Sequence, residues 1–264
     1  GDSWGTRPDT SGPYYNTVEW AETAKISGVL RAAMAKATGE EAGHLVAEFN
    51  RHKIQLDDTL NRVVMLAMQD PSLIPSAAGQ FSRTDKIPLS AIPLLVKAAT
   101  DESTPDVARA NAVIALAKMD SADGVKAMLK ALPMLAQVKK EVSTGSERER
   151  RLAREAFMDS TKLDNQYGVL AAAAAELNDD TSVMADAALL KITFRKDASP
   201  EARAGANGAL DEGWKNDKRR AQILRAVKLV EFRPYKDKVL MALGDSNKEV
   251  AKAAKAAANT LRLD

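Results

Sequence analysis

The 264-residue chain contains no cysteine. That excludes a disulfide framework, a thiolate zinc site, an iron–sulfur cluster, covalently attached c-type haem and a cysteine nucleophile. Aromatic residues make up only 5% of the chain, and clusters of β-branched residues are scarce, so the usual material of sheets is missing. Strict apolar–polar alternation is absent as well. No apolar run approaches the roughly 18 residues of a membrane span, and no charged-then-apolar leader opens the chain. If the protein is exported, its signal was removed ahead of residue 1. A strong field of one sign is also lacking, since 38 Lys and Arg against 36 Asp and Glu leave a net charge of +2.

What is present favours helix: Ala, Leu, Lys, Glu, Arg and Met dominate, and these are the residues that lose least on entering one. Leu60, Val63, Val64 and Ala67 recur at i, i+3, i+4 and i+7, and Val107, Ala110, Val113 and Ile114 do so with a small drift. Glycine and proline stand mostly at element ends, as in Asp70-Pro71-Ser72, Ser199-Pro200-Glu201 and Arg233-Pro234-Tyr235. The pattern predicts about fifteen short helices: 17–37, 40–53, 57–69, 71–81, 88–99, 104–118, 122–132, 134–142, 146–159, 164–177, 181–194, 199–214, 216–230, 235–243 and 247–261. Ser199 and Ser246 are the expected helix caps, each with an acid in the following turn.

Internal repetition decides between a solenoid and an irregular bundle. A weak repeat is present, in which an Asp and a short turn precede an apolar residue followed by small ones. It is best formed over Asp101–Leu116 and returns at Asp180–Leu190, Asp197–Leu210 and Asp245–Leu261. These stretches resemble HEAT repeats, helix pairs of about 40 residues that open on such an Asp–turn–Val–Arg–Ala element. Val107 and Val183 are 76 residues apart, close to two such units, while Val183 to Val250 is 67. The resemblance is good over 88–264 and loose over 17–87. It implies an all-α, right-handed α–α superhelix of the HEAT or armadillo type, with six to seven helix pairs over residues 17–264. An irregular bundle is the alternative.

Residues 1–16 differ in kind, with three glycines, two prolines and the rings of Trp4, Tyr14 and Tyr15. They predict an extended segment whose rings either cap the first helix pair or contact a preceding domain. Trp4 to Tyr15 with Val18-Glu19-Trp20 and the stretch His44–His52 resembles the HEAT region of large exported proteins of planctomycetes and their relatives. In those proteins the repeats accompany a propeller-type dehydrogenase domain and a c-type cytochrome domain. The resemblance implies a periplasmic or secreted setting and a scaffold between redox domains. With no Cys-x-x-Cys-His haem site in this chain, none of that redox chemistry transfers to a residue here.

Candidate chemistry is sparse. His44, Glu48 and His52 share one helix face at i, i+4 and i+8, but about 12 Å along the axis separates the two imidazoles. The row is either a polar flank beside Ala42, Leu45, Val46 and Phe49 or part of a metal site. No Ser-His-Asp elbow, Walker loop or dinucleotide fingerprint occurs. Gly205 and Gly208 lie inside a helical stripe, where they are expected to permit close helix contact. The acidic pairs Glu40-Glu41, Asp57-Asp58 and Asp179-Asp180 complement helix N-termini. No catalytic, cofactor or metal residue is assigned.

The best lead to a partner is charge. Residues 215–238 hold nine cations against Asp217, Glu231 and Asp237. Lys218, Arg219, Arg220, Arg225 and Lys228 are the candidate ridge, opposite an apolar face of Ile223, Leu224, Val227 and Val230. Such a ridge serves an anionic partner such as nucleic acid, a membrane surface or an acidic protein patch, or is a solvated face matched by acids on neighbouring repeats; a HEAT-like nucleic-acid-binding protein is thus one alternative. The expected function is therefore a non-enzymatic scaffold that binds protein or other domains of its own parent chain. Two enzyme classes are alternatives. Some HEAT-like chains of this length resemble DNA-alkylation glycosylases, for which Trp214 beside Asp211, Glu212 and Lys215 is the local candidate; others resemble bilin lyases, for which no residue is assigned.

Overall fold

The computed structural model describes residues 22–137 and 144–263. The aromatic segment at 1–16 and residues 138–143 lie outside the described residues. Among the described residues every regular element is helical: α1 Thr23–Lys36, α2 Gly39–Arg51, α3 Leu60–Gln69, α4 Ile74–Phe81, α5 Ile92–Thr100, α6 Asp106–Leu116, α7 Ala122–Gln137, α8 Thr144–Asp159, α9 Tyr167–Ala175, α10 Asp179–Phe194, α11 Pro200–Trp214, α12 Asp217–Leu229, α13 Lys236–Ala242 and α14 Lys248–Leu261. Short 3-10 turns lead into α3, α4, α5, α9 and α13.

Local chemistry sets these boundaries. Ser199 caps α11 by accepting from the Ala202 amide at 3.0 Å, with Pro200 in the first turn. Asn216 caps α12 through the Arg219 amide at 3.0 Å. At α14 the cap is Asn247 rather than Ser246, its side chain accepting from Glu249 and Val250. The sequence also predicts a break at Pro133, whereas α7 runs through it. An interior proline costs about 3 kcal/mol. Leu132 and Leu135 flank it and are buried, and each contributes about 1.5–3 kcal/mol, enough together to hold the helix. That leaves fourteen helices among the described residues, not fifteen.

The helices pack with near neighbours in sequence, in two rows. The even-numbered row runs α2 to α14, each helix against the next even one. In the other row α3 packs on α5, α5 on α7, α7 on α9 and α9 on α11, and adjacent helices such as α5 and α6 or α9 and α10 join the rows. Alanine makes these approaches close: Ala108, Ala110, Ala112 and Ala115 are buried on α6, and Ala185, Ala187 and Ala188 on α10. Between them sit large side chains such as Phe49, Phe81 and Phe157, whose truncation to Ala costs about 3–5 kcal/mol. Helix α10 touches α7, α8, α9, α11 and α12, so Ser182 and Asp186 on it are wholly buried.

The spacing between units stays close to one helix pair along the row. The even-numbered helices end at Arg51, Phe81, Leu116, Asp159, Phe194, Leu229 and Leu261, so the interval runs from 30 to 43 residues and is 35 in three of the six cases. A recurring bond accompanies it, because the last carbonyls of a helix have no partner within it. Just past the end of one even helix a donor reaches back to the end of the preceding even helix. Arg83 donates to the Asn50 carbonyl at 3.3 Å and to its side chain at 3.0 Å. Lys118 donates to the carbonyls of Ser82 and Thr84 at 3.1 and 3.0 Å. The Ser160 hydroxyl donates to the Ala117 carbonyl, and Arg195 donates to those of Ser160 and Met158 at 2.8 and 3.3 Å. A cation there also complements the negative end of the helix dipole. After α12 the corresponding place holds Glu231, and the junction is instead closed by Phe194 and Phe232, edge to face at 6.0 Å.

Candidate functional site

The cation-rich segment 215–238 forms the end of α11, all of α12 and the start of α13. Helix α12 is buried through Ala221, Ile223, Leu224, Ala226 and Val227, so the predicted cations cannot share one face. Arg219 points into the interior. Its guanidinium donates to Asp186 on α10 at 2.7 and 3.3 Å, and both side chains are buried. Gly213 makes room for it: a Cβ there would lie 2.9 Å from Arg219 Cγ and 3.1 Å from Ile223 Cδ1. Burial pushes the Asp186 carboxyl up to about 6, and the hydrogen bond and charge of Arg219 offset only part of that rise. Arg220 is mostly covered and sits between Asp217 and Asp245, tying α12 to the start of α14.

Of the five candidate ridge residues, Lys218 and Arg225 come together. With Lys215 they line an open groove of about 690 Å³ between the α12 and α14 N-termini, whose wall also carries Asp217 and Glu249. Arg225 faces Glu249 at 3.8 Å. Lys228 is exposed on the last turn of α12 and lies outside that wall. The segment is thus divided between an interior ion pair, an inter-helix clamp and a groove of mixed charge.

The other sequence candidates are equally placed by packing. Trp214 stands edge to face with Tyr235 at 6.1 Å, and Lys238 lies over both rings, 5.2 and 4.5 Å from their centroids. Lys238 also pairs with Asp211 at 2.9 Å. Burial favours its neutral form, but Asp211 and Tyr235 outweigh that and hold its pKa above the usual lysine value. Glu212 pairs with Lys215. The acids beside Trp214 are therefore engaged by lysines. The Glu48 carboxylate pairs with His52 Nε2 at 3.0 Å and with Arg51 at 3.5 Å; His44 is exposed one turn before Glu48 on α2. Among the described residues no three His, Asp or Glu side chains converge on a point where a metal could sit. Gly205 has the expected role, since a Cβ there would lie 2.2 Å from the Tyr167 ring, whereas Gly208 faces open space.

No family model and no curated protein matches this chain. Its candidate sites therefore rest on their own geometry. Sequence reading misses the buried Asp186, although a single acid within Ala185-Asp-Ala-Ala-Leu189 is the signature of a charge with an interior partner. It also misses Arg83, Lys118 and Arg195. Their common signal is a cation one or two residues past the last turn of an alanine-rich helix.

Proposed function

We propose that the chain is a HEAT-like α-solenoid, a right-handed superhelix of helix pairs, acting as a non-enzymatic scaffold that binds protein or neighbouring domains of a longer parent chain. The observation that carries this is the reach of its polar contacts. Among the described residues, side-chain hydrogen bonds between different helix pairs span from 25 residues, Arg62 to the Ala37 carbonyl, to 46, Gln166 to Asp120. Contacts that stop at the next unit are the mark of a quasi-one-dimensional array, whose function resides in its long lateral surfaces. The recurrent donor at successive even helices supports the same reading. The resemblance of the N-terminal stretch to planctomycete-type exported proteins extends it: the parent chain carries dehydrogenase and c-type cytochrome domains in a periplasmic or secreted setting, and any catalysis belongs to them. Glycosylase chemistry has less support, because the Trp214 ring is packed on Tyr235 and Lys238.

The test is affinity capture on the immobilised chain from nuclease-treated and untreated lysates. Scaffold function predicts the same captured protein in both. Capture that disappears with nuclease treatment, or no captured protein at all, overturns it.

A further inference from the structure

We infer that the groove between α5 and α7 is a docking site for an acidic amphipathic helix of a protein partner, an inference that rests on the scaffold reading. The groove has a volume of about 500 Å³, and its floor is apolar: Ile92, Pro93 and Val96 come from α5, and Ala127 comes from α7. Lys126 and Lys130 stand on the α7 rim, one turn apart and exposed. Neither takes part in an ion pair among the described residues, although both also border a second groove, on the α9–α10 side, whose lining includes Glu176 and Asp180.

This separates the groove from the one beside Lys218, where Asp217 and Glu249 stand in the same wall as the cations. In the α5–α7 groove Asp123 is the one lining acid, and it sits in the first turn of α7, where the helix dipole accounts for it.

Shape and charge then define the occupant. Two packed helices present a channel whose natural complement is a third helix, with anchors at i, i+3, i+4 and i+7 entering between them. Lysines at i and i+4 lie about 5–6 Å apart and match carboxylates at the same spacing on a partner helix. The described residues contain no sheet edge, so strand addition has no template there. A phosphate backbone would meet the lysines but gain nothing from Ile92, Pro93 and Val96.

The probe is a fluorescein-labelled 18-residue helical peptide with leucines at i, i+3, i+4 and i+7 and glutamates on both flanks, read by anisotropy against the full chain. Its control carries lysines in place of the glutamates. The expected result is binding of the glutamate peptide at least tenfold tighter than the control, with the preference reversed in Lys126→Glu/Lys130→Glu. Both substitutions lie on the surface, and circular dichroism confirms that the variant folds. A benzophenone on the peptide should cross-link to residues 92–100 or 123–130. Equal binding of the two peptides, no binding, indifference to the charge reversal, or cross-links to other helices overturns the assignment. So does tighter binding of a labelled 20-base-pair DNA duplex that the same variant abolishes. Each of these failures leaves capture of a protein partner from lysate standing, whereas failure of that capture removes the scaffold reading itself.

Discussion

Replacing Arg219 by Met removes the cation but leaves Asp186 in a site with no exposed surface. Breaking a buried pair from one side at neutral pH costs about 3–5 kcal/mol, because the carboxyl left behind must either stay charged without its partner or take up a proton. The double variant Asp186→Leu/Arg219→Met removes both charges. It should return to within about 1 kcal/mol of the parent or exceed it, as buried pairs replaced by apolar residues often do. The same pair makes a prediction about pH with an unusual sign. Asp186 rises from 3.8 to about 6 on folding, so the folded state holds its proton more tightly than the unfolded chain. Its contribution is fully present below pH 3.8 and is lost as the pH passes through about 6, by about 3 kcal/mol in all. Urea unfolding of the parent and of Asp186→Asn between pH 4.5 and 7.5 isolates this term, because the other carboxylates cancel in the difference. The parent's stability relative to Asp186→Asn should fall as the pH rises through this window and level off above it. A relative stability that rises with pH would refute the argument, as would single variants costing under 1 kcal/mol or a double variant as unstable as the sum of the singles.

Three further outcomes follow from the packing. Gly205→Ala drives a methyl into the Tyr167 ring and should lower stability by about 1–3 kcal/mol, whereas Gly208→Ala, with open space around it, should raise it by about 0.5–1 kcal/mol; chemical denaturation of the two variants side by side reads the contrast. Arg195→Met strips two carbonyls of their donor and leaves the Asp164 carboxylate, which is nearly buried and already raised by that burial, without its cation. It should cost about 3 kcal/mol or more. Lys118→Met loses two carbonyl contacts and the exposed Asp85 and should cost only about 1–2 kcal/mol in the same assay.

The fold class was legible because alanine-rich stripes of helical period leave no other way to bury their apolar faces, and Ser199-Pro200-Glu201 reads directly as the start of α11. Pro133 was not: whether a proline breaks a helix depends on what Leu132 and Leu135 gain on the far side, and that is tertiary information. The cation-rich segment was legible as composition and not as geometry. Arg219 and Lys218 are adjacent in sequence, yet the 100° turn between them sends one into α10 and the other to solvent. The α5–α7 groove left no motif at all, since its lining joins Ile92, Pro93 and Val96 of one helix to Ala127 of another, a pairing that only packing creates.

The central claim is that contacts reach one helix pair and stop, and small-angle X-ray scattering tests it most directly. A compact globule of 264 residues has a radius of gyration of about 18 Å. On the solenoid reading, seven even-numbered helices stacked at about 9–10 Å intervals would make a body near 65 Å long, with a radius of gyration of about 22 Å. The account predicts a value at or above that figure, with a distance distribution tailing to long vectors. A value near 18 Å with a symmetric distribution would contradict it.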